Sequence, residues 1–74
     1  MVTVFSKANC QPCRLTKMAL DRGGVEYVER RVDEDPEALA TIKELGYLQV
    51  PVVLTQAGEH WSGLNPDKIG QLVE

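Results

Sequence analysis

The only two cysteines of this 74-residue chain, Cys10 and Cys13, are separated by two residues. A short apolar stretch at residues 2–5 precedes them, and apolar residues at helical spacing follow from Pro12. Both sulfurs are therefore expected where a strand gives way to a helix, whose free N–H groups and positive dipole end favour a thiolate. Thiols this close can form a disulfide and reopen it with little movement of the chain. The spacing predicts a reversible transfer of two electrons.

Size and composition restrict what can surround this pair. Seventy-four residues make one small domain, 1–74, in which 43% of the residues are hydrophobic and 26% are charged, as in ordinary folded proteins. The net charge of −3 disfavours nucleic acid or an anionic membrane as a partner. No apolar run approaches the ~20 residues of a membrane span, and no secretory signal is visible. We expect a cytoplasmic protein that acts as a monomer.

Two other roles for the cysteine pair are open to the sequence. A structural disulfide is disfavoured, because a bridge across so short a loop constrains the unfolded chain little. Zinc needs about four ligands, and His60 is the only other soft ligand in the chain. A metal would therefore need a second chain. A binding module whose cysteines hold metal stays as a minor alternative, and we expect no metal site.

The hydrophobic pattern predicts elements in the order β-α-β-α-β-β-α. Strands are predicted at residues 2–5, 25–32 and 50–54 with a short fourth at 59–61, and helices from Pro12 to Gly23, from Pro36 to Gly46 and after Asn65. The second strand is highly charged and is expected at a sheet edge, whereas the third is apolar on both faces and is expected in the centre.

Apolar spacing also predicts which side of each helix is buried. The first helix is expected to bury Leu15, Met18 and Ala19, with Thr16 on the opposite side. The residues expected to be buried by the later helices are Ala38, Leu39, Ile42 and Leu45, then Ile69, Leu72 and Val73. The adjacent Arg30 and Arg31 are expected to be solvated.

The cysteine motif at the first β-α junction, followed later by an apolar-Pro-apolar strand, resembles the thioredoxin superfamily. The short length is similar to the glutaredoxin branch. Three stretches resemble the NrdH-redoxins, which are glutaredoxin-shaped proteins with thioredoxin-like behaviour: residues 5–7 (Phe-Ser-Lys), 46–53 (Gly-Tyr-Leu-Gln-Val-Pro-Val-Val) and 60–67 (His-Trp-Ser-Gly-Leu-Asn-Pro-Asp). The resemblance covers essentially the whole chain. It implies an α/β thioredoxin/glutaredoxin fold, with a four-stranded mixed sheet and three helices.

The same resemblance implies a thiol-disulfide oxidoreductase that donates electrons to the large subunit of class Ib ribonucleotide reductase. Its electrons would come from NADPH through the flavoprotein thioredoxin reductase, with no cofactor bound to the chain. A glutathione-dependent glutaredoxin is the nearest alternative, although residues 62–67 replace the Gly-Gly-x-Asp-Asp-type stretch typical of glutathione sites. Two positions depart from the NrdH-redoxin pattern. Leu64 stands where Phe is usual, and Pro12 directly precedes the second cysteine, as in thioredoxins.

Each residue around the cysteine pair has a predicted role. Cys10 is expected to be the nucleophile, since a helix N-terminus should lower its pKa from ~8.5 to roughly 3.5–7.5. Cys13, one turn further in, is expected to be more buried and to attack the mixed disulfide between Cys10 and a partner. Lys7 is expected to stabilise the Cys10 thiolate. Gln11 and Pro12 belong to the predicted partner contact.

Residues far along the chain are predicted to complete the partner surface. By resemblance, Pro51 is expected to follow a cis peptide bond and to face the thiols, which exposes the backbone of Val50 to an extended partner segment. Trp61 is expected first to pack in the fold with its indole N–H hydrogen-bonded, and it is also assigned to the partner contact with the two residues that follow it. Ser62 and Gly63 are expected beside the cysteines, where they would dock the reductase or the substrate.

Overall fold

The computed structural model describes residues 1–73, and its elements follow the predicted order. They are β1 (Val2–Ser6), α1 (Gln11–Arg22), β2 (Tyr27–Arg31), α2 (Pro36–Glu44), β3 (Val52–Leu54), β4 (His60–Ser62) and α3 (Pro66–Leu72). Within residues 1–73, none of the helices has the length and apolar character that a membrane crossing requires.

The four strands form one mixed sheet in the order β2-β1-β3-β4. β1 runs parallel to β2 and antiparallel to β3, and β3 runs antiparallel to β4. The charged β2 therefore lies at an edge and β3 lies inside the sheet, as predicted. Because β1 is also an inner strand, the loop that follows it and leads to Cys10 is held at one end of the sheet.

The core is divided between the two faces of this sheet. One face packs beneath α1 and α3 and buries Val2, Val4, Leu20, Val53, Trp61 and Ile69. The other packs beneath α2 and buries Phe5, Ala38, Ile42 and Val52. The alternation along β1, with Val4 on one side and Phe5 on the other, follows from the two-residue period of a strand. The cysteine-bearing helix is thereby fixed on a fully packed sheet.

The buried side of α1 differs from the prediction. Cys13, Thr16 and Leu20 are the buried residues, and Ala19 is partly buried, whereas Leu15 and Met18 are 38% and 40% exposed. Thr16 tolerates burial because its hydroxyl donates to the Pro12 carbonyl at 2.8 Å. Positions 13, 16 and 20 also have helical spacing. The prediction was wrong because it treated threonine as a surface residue.

Smaller differences concern the ends of elements. β2 and β3 are shorter than predicted, and β3 begins after Pro51, which has no N–H to give to a ladder. Leu39 is 36% exposed at the rim of the buried side of α2. Val73 is 37% exposed because it lies beyond the last turn of α3 in an extended conformation, while Leu72 packs partly against the core.

The two adjacent arginines are not simply solvated. Arg30 lies 5.6 Å from the Phe5 ring centroid and pairs with Asp35 at 3.2 Å, and the Asp35 carboxylate also caps the first N–H groups of α2. Arg31 pairs with Asp33 at 2.7 Å. The two aspartates lie in the loop between β2 and α2, which each arginine reaches from the end of β2. That loop is therefore held by two ion pairs.

Acid should destabilise the fold through three carboxylates. Hydrogen bonds from Lys17 and then Ser6 lower the pKa of Glu29, the Ala38 N–H and then Arg30 lower the pKa of Asp35, and Arg31 lowers the pKa of Asp33 to about 2. Since the unfolded chain binds these protons more tightly, the stabilisation is complete above about pH 5 and is lost as the pH falls towards 2.

Urea unfolding at pH 7, 4 and 2.5 measures this effect. The free energy of unfolding should decrease at each acid step. Asp33→Asn should reduce the loss between pH 4 and 2.5, because it removes the carboxyl whose pKa is about 2. An unfolding free energy that stays constant between pH 7 and 2.5 would contradict the three assignments.

Candidate functional site

The site is built on a disulfide between Cys10 and Cys13, whose Cα atoms are 5.3 Å apart. Cys10 is the N-cap of α1, in an extended conformation, and its Sγ accepts the Cys13 N–H at 3.2 Å. Cys13 lies inside the first turn and is 1% exposed, while Cys10 is half-buried. The structure thus places one sulfur at the surface and the other behind it, as predicted from the motif.

Local sequence explains how Cys10 reaches the cap position. Asn9 has φ 58°, a left-handed conformation that short polar side chains tolerate better than most, and it turns the chain from β1 towards α1. Pro12 occupies the first turn of α1, where an N–H has no helical partner to lose. The Arg14 N–H then donates to the Cys10 carbonyl at 3.1 Å as the first regular bond of the helix.

A second segment, residues 49–51, faces the disulfide. The Val50–Pro51 peptide bond is cis, as predicted, and the Val50 carbonyl oxygen lies 4.0 Å from Cys10 Sγ. The end of β4 and the residue after it support this segment, because the Gly63 N–H donates to the Pro51 carbonyl at 2.8 Å and the Ser62 hydroxyl approaches the Gln49 carbonyl at 3.4 Å. Ser62 and Gly63 therefore contact the residues on either side of Val50, and neither lines the groove or the cleft that lie beside Cys10.

A groove with many apolar residues runs past Cys10. The predicted residues Lys7, Gln11, Pro12 and Val50 line it together with Asn9, Val32, Leu39, Ile42, Leu48 and Gln49. Leu48 is 84% exposed and lines this groove together with other apolar side chains. Sequence reasoning missed Leu48, which lies just before the strand predicted at residues 50–54. Its position three residues before Pro51 was the available signal.

A more polar cleft lies on the other side of Cys10. Four of the eight cationic residues of the chain line it, with only one of its eleven acidic residues: Lys7, Arg14, Lys17 and Arg31, with Glu29. Lys17 Nζ lies 2.6 Å from a Glu29 oxygen, which also accepts the Ser6 hydroxyl at 2.6 Å. In a chain of net charge −3, the surroundings of Cys10 are thus locally positive. Positive surroundings favour a thiolate.

Trp61 does not line the groove, so the structure does not bring it together with those residues of the assigned partner contact that do. It is 7% exposed and packs in the core beneath α1 and α3, as its predicted packing role requires. Its indole N–H, however, is buried without a hydrogen-bond partner among residues 1–73, contrary to the expectation. Its buried core neighbours are the aliphatic Val2, Val4, Leu20, Val53 and Ile69, whose side chains offer no acceptor.

His60 lies on the surface and contacts Tyr47. Its Nδ1 is 2.7 Å from the Tyr47 hydroxyl, and the two rings meet edge to face with centroids 5.5 Å apart. The contact joins β4 to the segment that leads to Val50. In the part of the chain that the structure describes, no three His, Cys, Asp or Glu side chains are grouped as metal ligands.

Comparison with known proteins agrees with this geometry. Residues 2–61 match the glutaredoxin family model. The chain is 39% identical over 72 residues to the glutaredoxin-like protein NrdH of Salmonella typhimurium, covering 96% of this chain and 86% of the relative. It is 35% identical over 72 residues to NrdH of Lactococcus lactis, covering 97% and 99% of the two chains. The solved structure of NrdH-redoxin from Escherichia coli superposes with a TM-score of 0.89 at 34% identity, over 96% of this chain and 92% of that one.

These similarities extend over nearly the whole chain, and the family match at residues 2–61 spans both cysteines, so they confirm the resemblance stated from the motifs. They also confirm the four-stranded mixed sheet with three helices and the redox character of the Cys10–Cys13 pair. The chain belongs to the glutaredoxin family, as an NrdH-like thiol-disulfide oxidoreductase.

Proposed function

We propose that this protein carries electrons from NADPH, through thioredoxin reductase, to the large subunit of class Ib ribonucleotide reductase. The observation that carries the proposal is the Cys10–Cys13 disulfide at the head of α1, in a chain 39% identical to an NrdH protein. The E. coli NrdH-redoxin, a structural neighbour at TM-score 0.89, is described as having a thioredoxin-like activity profile. That description supports thioredoxin reductase, and not glutathione, as the source of electrons.

Cys10 would perform the first half of the transfer. In the reduced protein its thiolate is favoured by the N-terminus of α1 and by the cationic cleft, and it is the more exposed of the two sulfurs. It attacks one sulfur of a partner disulfide, a bond forms between Cys10 Sγ and that sulfur, and the partner disulfide breaks. The second partner sulfur leaves as a thiolate and takes a proton from water. The product is a mixed disulfide.

Cys13 would complete the transfer. Its thiol loses a proton to water, and its sulfur attacks Cys10 Sγ. The bond between Cys10 and the partner breaks, and the remaining partner sulfur leaves as a thiolate that is protonated in turn. The partner has then gained two electrons and two protons, and the chain holds the Cys10–Cys13 disulfide. The flavoprotein reductase returns this disulfide to the dithiol with two electrons from NADPH, so the chain needs no bound cofactor of its own.

The groove beside Cys10 would hold the partner during this exchange. An extended segment of the partner can run along residues 48–50, where the Val50 backbone precedes β3 and its carbonyl lies 4.0 Å from Cys10 Sγ. Leu48, Leu39 and Pro12 offer apolar contacts in the groove. The partner cysteine is thereby brought to the exposed sulfur, while Cys13 stays covered.

A coupled assay with the purified protein tests the proposal. NADPH should be consumed when thioredoxin reductase, this protein and class Ib ribonucleotide reductase with its nucleoside diphosphate substrate are combined, and deoxynucleotide should form in step with NADPH loss. Cys10→Ser is the matched control: it keeps the fold but lacks the attacking sulfur, and it should reduce both signals to background.

Two results would contradict the proposed function. If NADPH consumption required glutathione and glutathione reductase, and thioredoxin reductase gave no turnover, the protein would be a glutathione-dependent glutaredoxin. If the protein were reduced by thioredoxin reductase but no deoxynucleotide formed, the proposed electron acceptor would be wrong.

A further inference from the structure

Asp33 connects the loop after β2 to the loop that leads to Cys10. One of its carboxylate oxygens, Oδ2, accepts the Ala8 N–H at 3.1 Å. The guanidinium of Arg31 holds the same carboxylate at two points, with Nε 2.8 Å from Oδ1 and Nη2 2.7 Å from Oδ2. Charge-assisted bonds in this two-point arrangement fix the orientation of a carboxylate more firmly than a single bond does.

The contacts of Asp33 with Arg31 and the Ala8 N–H form a clamp that is charged and attached to the sheet. The Arg31 hydrogen bonds, followed by the Ala8 N–H, lower the pKa of Asp33 to about 2, so its carboxylate is ionised at any physiological pH. Arg31 is the last residue of β2 and lies opposite Ser6, the last residue of β1, and the Val32 N–H donates to the Ser6 carbonyl at 2.9 Å. Asp33 therefore holds Ala8 at a fixed distance from the paired strand ends.

The loop between β1 and α1 has few other supports. Within residues 1–73, the Asp33 carboxylate makes the one side-chain hydrogen bond to the backbone of residues 7–9. Directly after Ala8, Asn9 takes its left-handed conformation and Cys10 takes the extended cap conformation. Only Asn9 therefore separates the residue that Asp33 holds from Cys10.

We propose that Asp33 is a positioning residue for Cys10: through the Ala8 N–H, it holds the loop in the conformation that keeps the attacking sulfur on the first turn of α1. Asp33 does not touch the sulfur and acts only through the backbone. The inference depends on the reactivity of Cys10, and it does not depend on which reductase or substrate is the partner.

An electrostatic role and a positioning role for Asp33 predict opposite changes in the reactivity of Cys10. The charged groups that line the cleft beside Cys10 are Lys7, Arg14, Lys17, Glu29 and Arg31. If Asp33 acted only as a nearby negative charge, its removal would leave Arg31 less neutralised, and the Cys10 thiolate would become more reactive. If Asp33 acts by position, loss of the hydrogen-bond acceptor should make Cys10 less reactive.

Alkylation by iodoacetamide separates these results. The rate is measured from pH 5 to 9 in a Cys13→Ser background, so that Cys10 is the only thiol. At pH 7, Asp33→Ala should slow alkylation about 3- to 10-fold and move the pH midpoint upwards, since less thiolate is present. Asp33→Asn keeps an oxygen acceptor for Ala8 and should stay within about twofold of the parent. Glu34→Gln, which changes the other carboxylate near Arg31 at 4.0 Å, should have no effect.

Equal or faster alkylation in both Asp33 variants would overturn the proposal. Amide hydrogen exchange of Ala8, followed by NMR in the unsubstituted protein and in Asp33→Asn, gives a second measurement if Asp33→Ala does not fold. Protection of this exposed-loop amide in both proteins supports the clamp, and exchange as fast as in an unstructured peptide contradicts it. No partner enters either experiment, so their failure and the failure of the electron-transfer proposal are distinguishable.

Discussion

Replacing Cys13 by serine should stop the cycle halfway and leave the protein covalently bound to its partner. Cys10 keeps its place at the cap of α1 and can still attack a disulfide, but the sulfur that would release the partner is gone. A buried serine hydroxyl is too weak a nucleophile to replace a thiolate. Multiple-turnover reduction of a protein disulfide should fall by about 100-fold or more.

Non-reducing electrophoresis and mass spectrometry of the trapped species measure this directly. In a cell extract, the Cys13→Ser variant should capture the large subunit of class Ib ribonucleotide reductase as an adduct that dithiothreitol releases. Cys10→Ser is the control, and it should capture nothing, because the remaining Cys13 is 1% exposed. Trapping by the Cys10→Ser variant instead would reverse the assignment of the two sulfurs. Consistent capture of other proteins would redirect the proposed partner.

Replacing Leu20 by alanine should remove a large part of the stability of the protein. Leu20 is fully buried where α1 meets the sheet, and it packs with Val4, Val53 and Ile69. Truncation of a buried leucine costs about 2–5 kcal/mol, because apolar contact is lost and a cavity remains. A chain of this length has a total stability of roughly 4–11 kcal/mol, so the loss is a large part of the whole.

Leu15→Ala is the matched control, since it makes the same chemical change on the same helix. Leu15 is 38% exposed, and its replacement should cost less than about 1 kcal/mol. Urea unfolding at pH 7, followed by circular dichroism, compares the two. Equal costs, or a larger cost for Leu15, would mean that α1 presents the side predicted from its apolar spacing and not the side seen in the structure.

The order of elements and the place of the cysteines follow from local signals that can be found in the sequence. Pro at the start and Gly after the end mark α1, an Asp cap with a following Pro marks α2, and the two-residue cysteine spacing lies between a strand and a helix. Each signal acts within a few residues along the chain. For this reason the edge place of β2, the inner place of β3 and the deeper burial of Cys13 compared with Cys10 could be predicted.

Other features depend on residues that are distant in sequence. The side of α1 that packs on the sheet carries Cys13, Thr16 and Leu20, and contact with the distant strands decides this side, whereas the Thr16 hydroxyl is satisfied locally by the Pro12 carbonyl. Among residues 1–73 the indole N–H of Trp61 lacks a partner, since its buried core neighbours are aliphatic, which the residues next to it in sequence do not indicate.

The surroundings of Cys10 also depend on contacts between residues that are distant in sequence. The clamp from Asp33 to Ala8 joins residues 25 positions apart, and the approach of the Val50 carbonyl to Cys10 Sγ joins residues 40 positions apart. Sequence alone determined the chemistry of this protein, because two thiols at a helix start need only local chain to define them. Tertiary structure decided which side chains hold and surround those thiols, because strand pairing brings together segments that no local pattern connects.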